Sequence, residues 1–281
     1  MSNVKALRNR IKSVKSTQKI TKAMRMVAAS KLNKAKNSAK FASAYREKIQ
    51  SLFGALKNTE EEVTGLLSSA ILSKRDSFKS SIIIIYGSDR GLCGPFNSNI
   101  FKKLKGEIDK YPQPKIITIG KKIDQIITKI AKSDFHLSAS TDAMEISARL
   151  IEFIENNLKS EPSCQIVSYY TIFKNTLTLI PSCARIAPME NSEQNLSSSS
   201  SVEFEGANLM EKLCKSFIES NIIANLYESK ASSEASCMTA MDSATRNAGS
   251  MIQNLTLKMN RTRQAIITNE LIEVIAGAEA I

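Results

Sequence analysis

Residues 238–269 read MTAMDSATRNAGSMIQNLTLKMNRTRQAIITN and carry the strongest periodic signal in the chain. Apolar and small side chains recur there at alternating steps of three and four residues, the heptad spacing of a coiled coil. The positions are Met238, Met241, Thr245, Ala248, Ile252, Leu255, Met259, Thr262, Ile266 and Asn269. Residues 207–281 contain no proline and only two glycines, so we predict one C-terminal coiled-coil helix over 207–281, about 110 Å long.

A second long helix is predicted at the other end of the chain, because neither proline nor glycine occurs before Gly54. Its narrow apolar stripe starts with Val4, Leu7, Ile11 and Val14 and continues, with a shifted phase, through Ile20, Met24, Val27 and Leu32. We therefore predict a helix over Asn3–Leu56 of roughly 80 Å, within an N-terminal coiled-coil domain spanning 1–58.

Between the helices the period changes to that of an α/β domain, predicted over 76–206. Short β-branched runs predict strands at Ser81–Gly87 and Lys115–Gly120, followed by a hairpin of Gln165–Phe173 and Thr176–Ile186. Pro181 places the last strand at a sheet edge or bulge. Helical spacing fills the intervals: Phe96–Lys110, Lys121–Lys132 and Asp142–Lys159. The fold class is therefore α/β, a Rossmann-like central domain with a parallel-rich sheet, between two long helices.

The two helices have one economical way to pair, as an antiparallel coiled coil that leaves the central domain and returns to it. The C-terminal helix is longer by roughly 20 residues, so about its last 30 Å should extend alone. Its apolar side chains there are Ile266, Ile267, Leu271, Ile272, Val274, Ile275 and Ile281. Such a bare apolar end predicts a socket in a partner protein.

The net charge of +12 lies in one segment of this 281-residue chain. Up to Lys48 there are 14 Lys and Arg and one acid, Glu47, whereas the remainder holds 25 basic and 26 acidic residues. An acidic protein surface is the partner that this segment favours. A basic nucleic-acid-binding coiled coil is the alternative, although no aromatic residue lies between Met1 and Lys40 to stack on bases. The basic N-terminus also imitates a mitochondrial transit peptide, but the pattern runs far past that length.

A catalytic constellation is not evident in the sequence. There is no GxxxxGK[ST] loop, and the five cysteines have no metal-like spacing, so we expect neither cofactor nor metal. Gly87–Asn99 follows the first strand, and we expect Asp89, Gly91 and Gly94 to shape a turn there; anion binding is the alternative. An enzyme would require Cys93 or Asp89. The single histidine, His136, lies far from both in sequence, within a predicted strand at Asp134–Leu137.

Several stretches together resemble one family, the γ subunit of F-type ATP synthases. They are Arg8–Lys15, Thr17–Ala29, Gly87–Asn99, Met238–Thr245, Asn247–Gly249, Asn260–Ala265 and Thr268–Gly277. The resemblance covers the whole chain and is densest at both ends and at the glycine loop. Cys237 stands where an arginine is common in the family, and Pro95-Phe96 where many members have glycine and leucine.

The resemblance implies a rotor shaft without catalysis of its own, turning inside a ring of three α and three β subunits. Its partners would be the α and β subunits, the ε subunit and the membrane ring of c subunits, with no nucleic acid. The location implied is the cytoplasmic side of a bacterial plasma membrane, peripherally.

The resemblance also implies roles for individual residues. The residues implied to contact the α/β ring are Lys22, Met24, Arg25, Arg261, Arg263, Gln264 and Thr268. The apolar bearing at the tip would consist of Leu271, Ile272, Ile275 and Ile281, and the foot that contacts the c ring and ε would include Phe204 and Glu205. The residues implied to form a structural loop are Gly87, Asp89, Arg90, Gly91 and Gly94.

Overall fold

The computed structural model describes residues 2–56, 65–72, 77–189 and 209–279. The helices in this part of the chain are α1 (Ser2–Leu56), α2 (Leu66–Leu72), α3 (Phe96–Glu107), α4 (Lys121–Ile127), α5 (Ala143–Ser160) and α6 (Leu209–Glu279). The strands are β1 (Ser80–Tyr86), β2 (Pro114–Ile119), β3 (Phe135–Leu137), β4 (Cys164–Phe173) and β5 (Leu179–Ala187). The two predicted long helices and the α/β segment between them are therefore confirmed.

The five strands form one sheet in the order β3-β2-β1-β4-β5. β1 pairs in parallel with β2 and β4, and β2 pairs in parallel with β3. β4 and β5 form the predicted antiparallel hairpin, which leaves β5 and its Pro181 at the sheet edge. Every residue of central β1 is buried, which explains its uninterrupted isoleucine run, since a strand covered on both faces needs no polar alternation.

One end of α4 and one end of β5 differ from the sequence expectations. α4 ends at Ile127 rather than near Lys132. β5 begins at Leu179 rather than Thr176, because the Asn175 side chain accepts the backbone N–H groups of Leu177 and Thr178 and turns the chain there.

Helix α2 was not predicted, since seven residues are too few to show a helical period. A distant carboxylate stabilises its N-terminus: Glu211 of α6 accepts the N–H groups of Leu67 and Ser68, each at 3.1 Å.

By its internal contacts the chain forms two compact units, one of residues 1–28 with 237–281 and one of residues 29–236. The sequence suggested boundaries at the ends of the long helices, whereas these units divide each helix. In the larger unit, α1 and α6 contribute directly to the core beside the sheet: the rings of Phe53 and Phe217 lie 5.1 Å apart, and both side chains are buried.

In the smaller unit α1 and α6 run antiparallel. Thr21 Oγ1 lies 2.8 Å from Thr245 Oγ1, and Arg25 Nη1 lies 2.8 Å from Asp242 Oδ1. Residue numbers therefore increase along α1 in the direction in which they decrease along α6. Gln18 Nε2 donates to the Thr245 carbonyl at 3.3 Å. This confirms the predicted antiparallel pairing of the helix ends.

The α1 seam keeps one heptad phase instead of shifting. Ile11 is buried and Val14 half-buried as predicted, and the next buried residue along the seam is Thr21. The predicted Ile20 and Val27 are instead 56% and 54% exposed. The interpretation from sequence followed apolar residues and missed a polar seam position.

Candidate functional surfaces

The glycine loop between β1 and α3 is shaped by close packing and positive φ angles. A Cβ at Gly87 would lie 2.3 Å from Cβ of Ile123, so no larger residue fits without displacement. Gly94 has φ of +54° and Leu92 has φ of +65°, which a turn of this tightness requires. Gly91 faces open space, so the structure gives no steric reason for glycine there, contrary to the expectation from sequence.

The Asp89 carboxylate joins this loop to the ends of two neighbouring strands. It accepts the N–H groups of Lys121, Ala139 and Ser140 at 2.8–3.1 Å, and the hydroxyls of Ser138 and Ser140 at 2.8 and 2.6 Å. Partial burial raises the pKa of this carboxyl, but the hydrogen bonds outweigh burial and lower the pKa to about 2. Asp89 is therefore a charged structural tie, which favours the turn interpretation over anion binding.

The Cys93 thiol lies within the same loop as a buried packing group. Its sulfur is 3.4 Å from Ser88 Oγ and 3.5 Å from Asn97 Nδ2. His136, at the far edge of the sheet, instead contacts Thr118 Oγ1 at 3.0 Å, so the only histidine and Cys93 share no hydrogen-bond partner among the described residues. The structure does not bring them together as a nucleophile and base.

Arg90 is exposed, and its charge acts on α6. There the burial of Glu234 raises the pKa of that carboxyl, while Lys31 and Arg90 oppose the rise.

The carboxyl edge of the sheet is where open α/β folds bind nucleotides, in the crevice at which the strand order reverses. Here that reversal lies between β1 and β4. Ser229 of α6 donates to the carbonyl of Tyr86 at the end of β1, and Ser232 donates to the carbonyl of Thr171 on β4. Helix α6 therefore lies against this edge. Sequence reasoning missed these serines. Ser229, Ser232 and Ser236 are spaced by three and four residues, which places them on one face of the helix and was a usable signal.

On the helix pair the predicted ring-contact residues differ in accessibility. Lys22 is exposed and Met24 half-buried. Arg25 forms an ion pair with Asp242, and both side chains are about two-fifths exposed or less. Asp242 also contacts Arg246 at 3.4 Å, so it lies between two guanidinium groups. Among the described residues Lys22 has no ion-pair partner, while Arg25 already has one within the chain.

Further along α6, the predicted contact residues Arg261, Arg263, Gln264 and Thr268 are all exposed. The Thr268 hydroxyl donates to the Gln264 carbonyl one turn earlier. These side chains are accessible to a partner.

The end of α6 carries exposed apolar side chains, as predicted. Leu271, Ile272 and Ile275 are each 58% exposed, and Val274 is 69% exposed. The pairing of Thr21 with Thr245 places the start of α1 beside residues 264–265, so about 20 Å of described helix extends past it, less than the expected 30 Å. The remaining predictions, Phe204, Glu205 and Ile281, lie outside the described residues.

Two kinds of feature are absent from the described residues. No helix there is long and apolar enough to cross a bilayer. No cluster of three or more His, Cys, Asp or Glu side chains suited to a metal ion occurs in the described ranges.

Comparison with known proteins identifies the family. The family model described as ATP synthase matches residues 3–281. The ATP synthase gamma chain of Rickettsia bellii (strain RML369-C) is 38% identical over 293 residues, covering all of both chains. The chain belongs to the ATP synthase γ-chain family. The gamma chains of Rickettsia canadensis and Pelagibacter ubique, 39% and 38% identical, also match over full length.

Solved structures share the fold of this γ-chain family member. A chain from the Euglena gracilis mitochondrial ATP synthase, in a structure titled OSCP/F1/c-ring, superposes with a TM-score of 0.69 at 16% identity, covering 99% of this chain and 94% of that one. A chain of the Tetrahymena thermophila central stalk and c-ring structure gives 0.62 at 18% identity, covering 80% of this chain and 99% of that one. The family resemblance is thus confirmed, and nothing supports the nucleic-acid alternative.

Proposed function

We propose that this γ chain is the non-catalytic rotor shaft that couples proton flow through a c ring to ATP synthesis and hydrolysis in an α/β ring. The observation that carries the proposal is the exposed apolar end of α6, whose large side chains face solvent on a helix that has run past its partner. In water such a surface is unfavourable, and burial in an apolar socket would stabilise it.

The charges of the helix pair support the same function. The basic residues between Lys5 and Lys22 are all exposed along α1. An acidic surface surrounding them would attract the shaft by electrostatic complementarity without favouring one rotational orientation. Because the two helices differ in sequence, each angle of the shaft presents different contacts to a given β subunit and so favours a different β conformation.

The remaining partners and the location extend this proposal. The α/β unit would form the foot that rests on the c ring and binds the ε subunit, with Phe204 and Glu205 at that contact. The chain would then be peripheral to a bacterial plasma membrane on its cytoplasmic side. Catalysis would belong to the β subunits.

Affinity capture from native membranes tests the function. Tagged chain should recover α and β subunits together with ATPase activity, whereas the purified chain alone should have none. Recovery of the chain alone, or with nucleic acid, would contradict the proposal.

A further inference from the structure

Four buried polar side chains on α6 form a polar ladder against the carboxyl edge of the sheet. They are Asn225, Ser229, Ser232 and Ser236, spaced by four, three and four residues, so they lie on one face of the helix. All four are at most 6% exposed. Each donates a hydrogen bond to the sheet or to the loop that follows β1.

The acceptors come from three separate segments. Ser229 Oγ donates to the Tyr86 carbonyl at 3.1 Å, and Ser236 Oγ donates to the Cys93 carbonyl at 2.5 Å. Asn225 Nδ2 donates to Ser168 Oγ on β4 at 3.0 Å. The ladder therefore joins α6 to β1, to β4 and to the glycine loop.

The bond from Ser232 reaches β4 past the end of its pairing with β1. Ser232 Oγ donates to the Thr171 carbonyl at 2.9 Å. The last residue pair between β1 and β4 is Ile85 with Tyr169, two residues before Thr171. Helix α6 thus supplies a hydrogen-bond donor to β4 beyond its pairing with β1.

The polar ladder differs in kind from the contacts just before it. Ile222 and Ile218, one and two turns before Asn225, are fully buried in the apolar core. Apolar burial is non-directional and resists sliding or rotation of a helix only through side-chain shape. Hydrogen bonds weaken steeply when their geometry changes, so the ladder specifies both the axial position and the rotation of α6 on the sheet.

We propose that the polar ladder is the torque-bearing joint of this chain, where rotation of the α/β unit is imposed on α6. The inference rests on the proposed rotor function. α6 is one continuous helix from Leu209 to Glu279, so a rotation imposed at the ladder is carried along its backbone toward the tip. Ser229, Ser232 and Ser236 are then positioning residues: they bear load, and they touch neither nucleotide nor proton.

The experiment removes three hydroxyls with little change in volume. The variant Ser229→Ala/Ser232→Ala/Ser236→Ala is compared with Ser233→Ala/Ser243→Ala/Ser250→Ala, a matched triple change on the same helix outside the ladder. Both gain the same helix propensity. Each full-length chain is assembled into the ATP synthase, and ATP hydrolysis, ATP-driven proton pumping and the melting temperature of the chain are measured.

The expected result is a loss of pumping against an imposed proton gradient while ATP hydrolysis stays at the control rate. The joint slips under load, but the α/β ring still turns over. Equal pumping-to-hydrolysis ratios in both variants would overturn the inference. So would a parallel fall of both activities with melting temperature, which indicates a purely stabilising role. If the ladder triple variant does not fold, Ser232→Ala against Ser233→Ala gives the same comparison.

Failure of the inference can be distinguished from failure of the proposed function. If the unmodified chain assembles and pumps, the proposed function stands whatever the ladder variant does. If the unmodified chain recovers neither α nor β subunits, the rotor function itself fails, and the ladder bears no torque.

Discussion

The Asp89 carboxylate holds together three segments that are distant in sequence: its own loop, the start of α4 at Lys121 and the segment 138–140 after β3. Five donors point at its two oxygens. The sequence indicated a turn-forming aspartate but not these partners, because they follow strands that only the sheet order brings side by side.

Replacing Asp89 by Asn should destabilise the α/β unit by about 1–3 kcal/mol, because the amide NH2 would face N–H and hydroxyl donors. Urea unfolding of the full chain measures this, with the exposed Asp109→Asn as the matched control. The pKa of Asp89 is lowered from 3.8 to about 2, so its contribution to stability is complete above pH 3.8 and is lost as the pH falls through about 2. An Asn variant as stable as the control at neutral pH would contradict this.

Lys22 allows a cleaner test of the basic surface than Arg25, whose reversal would also break the ion pair with Asp242. Lys22→Glu in the assembled enzyme should weaken the proposed contact with the α/β ring by about 1 kcal/mol, which is about fivefold in binding. It should also lower the ratio of proton pumping to ATP hydrolysis. Lys129→Glu, an exposed lysine of the α/β unit, makes the same charge change elsewhere. Equal coupling in the two variants would mean that Lys22 is only solvated.

At the scale of elements, the sequence patterns predicted both long helices and the strands of the sheet. They misplaced the middle of the α1 seam because Thr21 is polar. The Thr21 hydroxyl becomes a seam group through its contact with Thr245 on the other helix, a contact between residues 224 positions apart that no local pattern encodes.

The end of α6 yields a prediction of its own. Deleting residues 271–281 should leave the melting transition of the α/β unit intact but weaken capture of α and β subunits. Each large apolar side chain removed from a socket costs about 1 kcal/mol. Deleting only residues 276–281 is the control, since it retains Leu271, Ile272, Val274 and Ile275. Unchanged capture after the longer deletion would rule out the socket.

At the scale of the larger unit, α6 lies at the edge where a Rossmann-like sheet would receive a nucleotide. The purified chain should therefore bind ATP or ADP more weakly than a Kd of about 1 mM in titration calorimetry. A P-loop protein under the same conditions is the positive control. Saturable micromolar binding by this chain would show that the edge is open.

Local patterns alone were sufficient for the two long helices, the parallel-rich sheet, the edge position of Pro181 and the apolar end of α6. These features depend on the spacing of residue types within one segment. The regular geometry of a helix or strand places residues with that spacing on the same face of the element. Only the tertiary structure decided that Asp89 ties three loops, that Thr21 belongs to the seam and that serines of α6 meet strand carbonyls. In each of these cases the hydrogen-bond partner lies on another element, and a polar side chain becomes structural only when the fold buries it beside that partner.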